Sequence, residues 1–266
     1  MTEKDLNLSK APLLSHLIEL RRRLLYCLAF FTLMFIASYF FASQIYAFLQ
    51  QPLLEIFGPD SGRRMIYTGL HEAFFTYLKL SFFSATFFTL PLMLIQIWRF
   101  IAPGLYIHEQ HSVSLLLVMT PILFVAGAAL AFYVVMPLAW EFFISFESPA
   151  KEAAISVELE AKISEYLGLV IKLILAFGLS FELPILLLVM AKAGLVSAQS
   201  LAGFRRHAIV VIFLLAALIT PPDLISQIAL GLPVFALYEL SILLIRWTRS
   251  DYSRQKNSQS DQAARY

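Results

Sequence analysis

The chain has 266 residues, of which 59% are hydrophobic and 14% charged, with a mean hydropathy of +0.76. This lies well beyond the roughly 45–50% apolar and 25% charged share of soluble domains, and because apolar runs recur along the whole sequence it predicts an all-α, polytopic membrane protein rather than a soluble domain with one anchor. The net charge of +2 gives no basis for nucleic-acid binding, and a single cysteine, Cys27 inside the first apolar run, excludes an internal disulfide framework or a CxxC redox or zinc site.

Residues 1–23 read as a cytoplasmic segment in which Leu13, Leu17 and Leu20, followed by Leu24, recur at spacings of 4, 3 and 4, the pattern of an amphipathic helix. Six spans follow in residues 24–245. The first, residues 24–42, is uncharged for about 28 Å and comes directly after Arg21, Arg22 and Arg23. It is too long, and lacks a small-residue cleavage site, for a signal peptide. Residues 73–98 make the second span, with Lys79 near one end and Pro91 near the other, and residues 113–136 the third. The fourth, residues 167–190, contains Lys172 and Glu182. The fifth, residues 208–219, is only about 18 Å long and predicts local thinning of the bilayer. The sixth, residues 224–245, is interrupted by Gly231, Pro233 and Glu239, and the polar tail 246–266 reads as disordered.

With the amino terminus in the cytoplasm, fourteen of the 20 lysines and arginines fall inside, against four in the outer loops, Arg63, Arg64, Lys151 and Lys162. The positive-inside rule therefore places both termini in the cytoplasm. The outer loops are a Pro- and Gly-punctuated stretch at 43–72, a Glu-rich stretch at 137–166 and a minimal turn at 221–223 that exposes Thr220 and Gln227 near the membrane surface. No internal repeat is visible, which weighs against a transporter built from inverted repeats.

Catalytic signatures are absent: the sequence contains no HExxH, GxSxG, GxxxxGK or GxGxxG, so no enzyme and no cofactor are expected. His108 and His111, the only close histidine pair, have Glu109 between them and no further ligand cluster, so no metal site is expected.

Function is therefore sought in polar groups within or beside the membrane, where an ionisable residue at the bilayer centre costs about 2.5–3.5 kcal/mol. Glu182 is the deepest, in Phe181-Glu182-Leu183-Pro184, where Pro184 kinks the helix and frees carbonyls. It serves either as a polar landing point for a partner or only to hold helices together. Glu239 carries the same ambiguity, with the structural role favoured, while Lys79 and Lys172 reach toward the outer interface. At the cytoplasmic edge, Glu19 has His16 at i−3 and Arg22 and Arg23 at i+3 and i+4, so local ion pairing is the plainest account of it. Outside the terminal tails, Glu19 and Glu109 are the only cytoplasmic acids, and two carboxylates on a basic surface suit a dicationic ligand, since arginine forms bidentate pairs that lysine cannot match.

Four segments, Ser15 to Leu24 (SHLIELRRRL), Phe100 to Glu109 (FIAPGLYIHE), Phe181 to Pro184 (FELP) and Thr220 to Asp223 (TPPD) with Ser226 and Gln227, resemble in order and topology the TatC family of the twin-arginine protein translocase. The resemblance covers nearly the whole chain. It implies a concave assembly of six helices in the bacterial cytoplasmic (inner) membrane. It implies a receptor for twin-arginine signal peptides that exports folded proteins with TatA and TatB, in hetero- and homo-oligomers, on the proton-motive force. By motif, Glu19, Arg21, Pro103 and Glu109 match the signal-peptide site, Glu182 the intramembrane glutamate, and Thr220, Asp223 and Gln227 the region where partner helices dock. The alternatives are a proton-coupled solute transporter using Glu182 and Glu239, which should show duplicated broken helices, and an intramembrane enzyme, for which no nucleophile and base lie at matching depth.

Overall fold

In lipid a backbone must satisfy its own hydrogen bonds, so long apolar runs without closed barrels become helices. A computed structural model describes residues 3–58, 64–101, 110–147, 159–220 and 224–263. Helices account for most of them: α1 Glu3–Phe40, α2 Ala42–Phe57, α3 Glu72–Ile101, α4 Gln110–Leu130, α5 Met136–Ile144, α6 Ile163–Ser180, α7 Leu183–Lys192, α8 Ala198–Gly203, α9 Arg205–Ile219 and α10 Leu224–Ala263. Among the described residues the only β feature is an isolated bridge between Ile66 and Lys162.

Five stretches are long and apolar enough to cross a membrane: His16–Phe40, Glu72–Phe100, Leu117–Ile144, Ile163–Lys192 and Ser226–Trp247. The fifth predicted span, α9, is helical over 15 residues, or about 22 Å, and stays shorter than a roughly 30 Å hydrocarbon core. Where the sequence predicts a kink, the fourth span is interrupted: α6 stops at Ser180, a turn holds Phe181 and Glu182, and α7 restarts with Pro184 in its first turn, where a missing N–H costs nothing.

Three stretches depart from the sequence reading. The expected outer loop at 43–72 contains α2, which continues from α1 through one turn at Phe41, whose N–H bonds the Ala37 carbonyl at 3.2 Å. A run of Pro and Gly signals concealed it, because Pro52 is absorbed inside the helix. The third span does not end near Pro137; five residues, Ala131–Val135, widen into a π-helical turn closed by the Met136 N–H on the Ala131 carbonyl, and α5 carries on to Ile144. Proline removes a donor there, and the wider turn rearranges the freed carbonyls without ending the helix. Finally, α10 runs on to Ala263 through the tail that composition marks as disordered. A helix already nucleated by an apolar span extends one residue at a time at little cost.

The chain divides into two units. In the first (Met1–Gln51, Met65–Pro121 and Lys162–Leu167), α1 packs along α3, with the Phe31 ring set edge-on to Phe82 at 5.2 Å. Hydrogen bonds tie its loop segment to helix ends. Ile163 N–H donates to the Ile66 carbonyl at 3.1 Å, and the Tyr166 hydroxyl donates to the Leu49 carbonyl at 2.7 Å. Glu72 accepts from the Thr68 and Gly69 N–H groups and from the Ser164 hydroxyl. In the second unit (Pro52–Arg64, Ile122–Ala161 and Gly168–Tyr266), α10 packs against α5, α7, α8 and α9, over a core that includes Leu187, Leu201, Tyr238 and Ile242. Gly194, at φ +75°, closes α7: its own N–H reaches the Ala191 carbonyl and the Leu195 N–H reaches that of Met190, a left-handed cap that favours glycine.

Candidate functional site

In the first unit the candidate groups collect at the arginine-rich end of α1. The helix places Glu19 beside Arg23 one turn on, and the Arg23 Nη2 donates to Glu19 Oε1. The other arm of the guanidinium, Nη1, donates to the Gln96 carbonyl on α3 at 3.0 Å. Arg23 is thus a strut between two helices as well as a counter-charge, and its side chain is only 17% exposed against 35% for Glu19. The second carboxylate oxygen of Glu19 faces His16 Nδ1 at 3.9 Å, beyond hydrogen-bond reach. His16 is fixed by its ring, which stacks on Phe100 with centroids 4.0 Å apart. Arg21 and Arg22 are exposed. Of the neighbours that spacing offered to Glu19, the structure therefore selects Arg23. Pro103 and Glu109 lie outside the described residues.

In the second unit Glu182 is buried, at 5% exposure, and is the residue that caps α7 from the break in the fourth span, with no hydrogen bond from its side chain to the helix end. Its backbone is engaged on both sides, the N–H with the Leu179 carbonyl at 3.1 Å and the carbonyl with the Leu186 N–H at 3.0 Å. Close packing brings α4 against this break. A Cβ on Gly127 would stand 2.5 Å from the Phe177 carbonyl oxygen and 2.8 Å from the Phe181 ring, and one on Gly178 would stand 2.8 Å from the Phe124 ring. Small residues permit such backbone approach between membrane helices. These glycines were missed in the sequence, where their spacing to Glu182 is not readable.

Glu239 is engaged in an ion pair. Arg205 Nε donates to its Oε1 at 2.6 Å and Nη2 to its Oε2 at 2.8 Å, the parallel two-bond geometry that suits a guanidinium and a carboxylate. This contact raises the Arg205 pKa above its already high ordinary value. The neighbouring Tyr238 hydroxyl donates to the Leu201 carbonyl at 2.7 Å, so α10 holds both α8 and the head of α9. Of the two readings open for Glu239, the structural one fits this arrangement.

The turn between α9 and α10 corrects one expectation. Thr220 is buried rather than exposed, at 5%, and its hydroxyl donates to the Ala216 carbonyl of its own helix at 2.9 Å. Gln227 is half-buried and its Nε2 donates to the Phe213 carbonyl at 3.1 Å. Thr220 itself is extended (φ −83°, ψ 158°), as a residue before proline must be. The Thr220 hydroxyl and the Gln227 amide nitrogen, which the sequence left facing lipid, have partners within the chain. Asp223 lies outside the described residues. Among the described residues, no group of three metal-ligating side chains occurs.

Apolar helices of membrane-spanning length and buried or paired ionisable groups define a polytopic helical membrane protein. The model of the family described as Sec-independent protein translocase protein (TatC) matches residues 15–233. The chain is 47% identical to the TatC of Magnetococcus marinus over 96% of its own length and 91% of the relative's. It is 44% identical to that of Rickettsia prowazekii over 92% and 97%, and 38% identical to that of Escherichia coli K12 over 89% and 88%. A crystal structure of the Twin Arginine Translocase Receptor TatC superposes with a TM-score of 0.73 at 34% identity, covering 87% of this chain and 98% of that one. A second, of the receptor in DDM, gives 0.74 at 34%, covering 86% and 99%. The chain belongs to the TatC family, a multi-pass membrane component of the Sec-independent, twin-arginine protein translocation system.

Proposed function

We propose that the chain is the receptor core of a twin-arginine translocase in a bacterial cytoplasmic (inner) membrane. It binds signal peptides with two consecutive arginines and, with TatA and TatB, exports folded proteins on the proton-motive force. The observation that carries this reading is Glu19, a carboxylate reachable from water in the family motif at the arginine-rich end of α1. A carboxylate held there can take a guanidinium through both oxygens, a geometry that lysine cannot reproduce. Glu109 is the second carboxylate of the same recognition site, with Arg21 and Pro103 belonging to the two motifs that present the pair.

TatA and TatB dock beside the turn between α9 and α10. Thr220 and Gln227 flank residues 221–223 and bond carbonyls of α9, Asp223 lies between them in the sequence, and the exposed Val210, Leu214 and Leu218 of α9 offer an apolar face to a partner helix. Glu182 is a polar landing point at the helix break for an inserting peptide or partner helix.

The test is export of a folded reporter bearing a twin-arginine signal peptide in bacterial cells that lack their own TatC but keep TatA and TatB. Restored export supports the proposal. No export at normal membrane levels of the chain, together with solute-dependent proton uptake in vesicles without TatA and TatB, would replace it with a proton-coupled solute transporter.

A further inference from the structure

Resting on the assignment of Glu19 to twin-arginine recognition, we propose that Arg23 is a built-in competitor for that carboxylate. It is an arginine of the chain itself that occupies Glu19 until a peptide arginine takes its place, and so sets how strictly the site demands arginine.

The geometry has three parts. Arg23 holds Glu19 Oε1 with one arm, which leaves Oε2 as the oxygen open to a newcomer. A peptide guanidinium that binds through both oxygens therefore meets Arg23 at Oε1 and competes with it for that oxygen. Arg23 is also better held than an ordinary surface partner one turn away, because its other arm bonds the Gln96 carbonyl and its side chain is mostly covered. Lysine, a point charge, could not grip both acceptors. Lastly, displacement does not strand Arg23, since the bond to Gln96 remains when Glu19 is released.

The electrostatic consequence is selectivity. With Arg23 in place, the Glu19 charge is already neutralised, and Arg21 and Arg22 stand exposed nearby, so a lone cation gains little on approach. Only a ligand whose guanidinium forms the two-bond contact, with a second arginine adding its own attraction, recovers enough to displace the internal arginine.

Binding of fluorescent signal peptides carrying Arg-Arg or Lys-Lys to the full-length chain in nanodiscs tests this. Arg23→Gln should tighten Arg-Arg binding by about two- to fivefold, the range set by a part-exposed ion pair, and should tighten Lys-Lys binding at least as much, narrowing discrimination. Arg23→Lys, a weaker competitor, should fall between Arg23→Gln and the unaltered chain, and it serves where Arg23→Gln does not fold. Arg23 variants that bind equally or more weakly, while Glu19→Gln still weakens Arg-Arg binding, would overturn the competitor role and leave the recognition role intact. Glu19→Gln without effect would overturn the recognition role itself.

Discussion

Arg205 at the head of α9 grips both carboxylate oxygens of Glu239, thirty-four residues away on α10, at 2.6 and 2.8 Å. The pair pins the start of α9, the shortest of the six predicted spans, to α10, beside the Tyr238 bond to Leu201. Arg205→Ala and Glu239→Ala should each lower the melting midpoint of the detergent-solubilised protein, and the double variant should lose less than the sum of the two. Additive losses in that double-mutant cycle would mean the contact does not stabilise the fold.

Close approach of α4 to the helix break at Glu182 rests on glycine. Gly127→Ala places a methyl 2.5 Å from a main-chain oxygen, which cannot rotate away, so it should destabilise the protein by about 1–3 kcal/mol. Gly168→Ala, with open space around it, should be tolerated. Thermal melts of the two variants side by side check the contrast.

Glu182 separates a hydrogen-bonding role from a proton-relay role. Gln offers both a donor and acceptors but cannot exchange a proton, whereas Ala offers neither. Glu182→Gln should keep much of the export activity and Glu182→Ala should lose more, at equal membrane levels. Gln as inactive as Ala, with partner binding intact, would assign protonation to Glu182 instead.

The hydrogen bonds beside Thr220 separate stability from partner docking. Because the Gln227 amide satisfies the Phe213 carbonyl, Gln227→Leu should cost about 1 kcal/mol of stability before any partner is involved. Crosslinking of TatA or TatB should fall more on Leu214→Asn with Leu218→Asn, on the exposed face of α9, than on Gln227→Leu once protein levels are matched. The opposite ranking would make the turn itself the partner contact.

Much of this arrangement was legible in the sequence because hydrophobic run length and the placement of arginines act locally. The long spans, a distortion of the helix near Pro184 and the pairing of Glu19 with a neighbouring arginine all follow from residues within a few turns. What was not legible depends on pairs distant in sequence. Nothing near Glu239 announces Arg205, and Gly127 looks like any glycine in an apolar run until Phe177 is brought against it. The π-helical turn before Pro137 and the helix α2 around Pro52 show the same limit, since a proline stops a helix only where no rearrangement or packing offsets its missing hydrogen bond. Thr220 and Gln227 stand out in the sequence as polar groups near the end of an apolar run, but their partners are main-chain carbonyls, which leave no trace in side-chain patterning.

The measurement that bears most directly on the receptor reading is photocrosslinking of a twin-arginine signal peptide to the full-length chain in membranes, with and without Glu19→Ala and Glu109→Ala. The account predicts that the unaltered chain crosslinks to an Arg-Arg peptide but not to its Lys-Lys counterpart, and that the double variant, folded normally, loses about 10- to 150-fold in apparent affinity. Undiminished crosslinking to the double variant would contradict it.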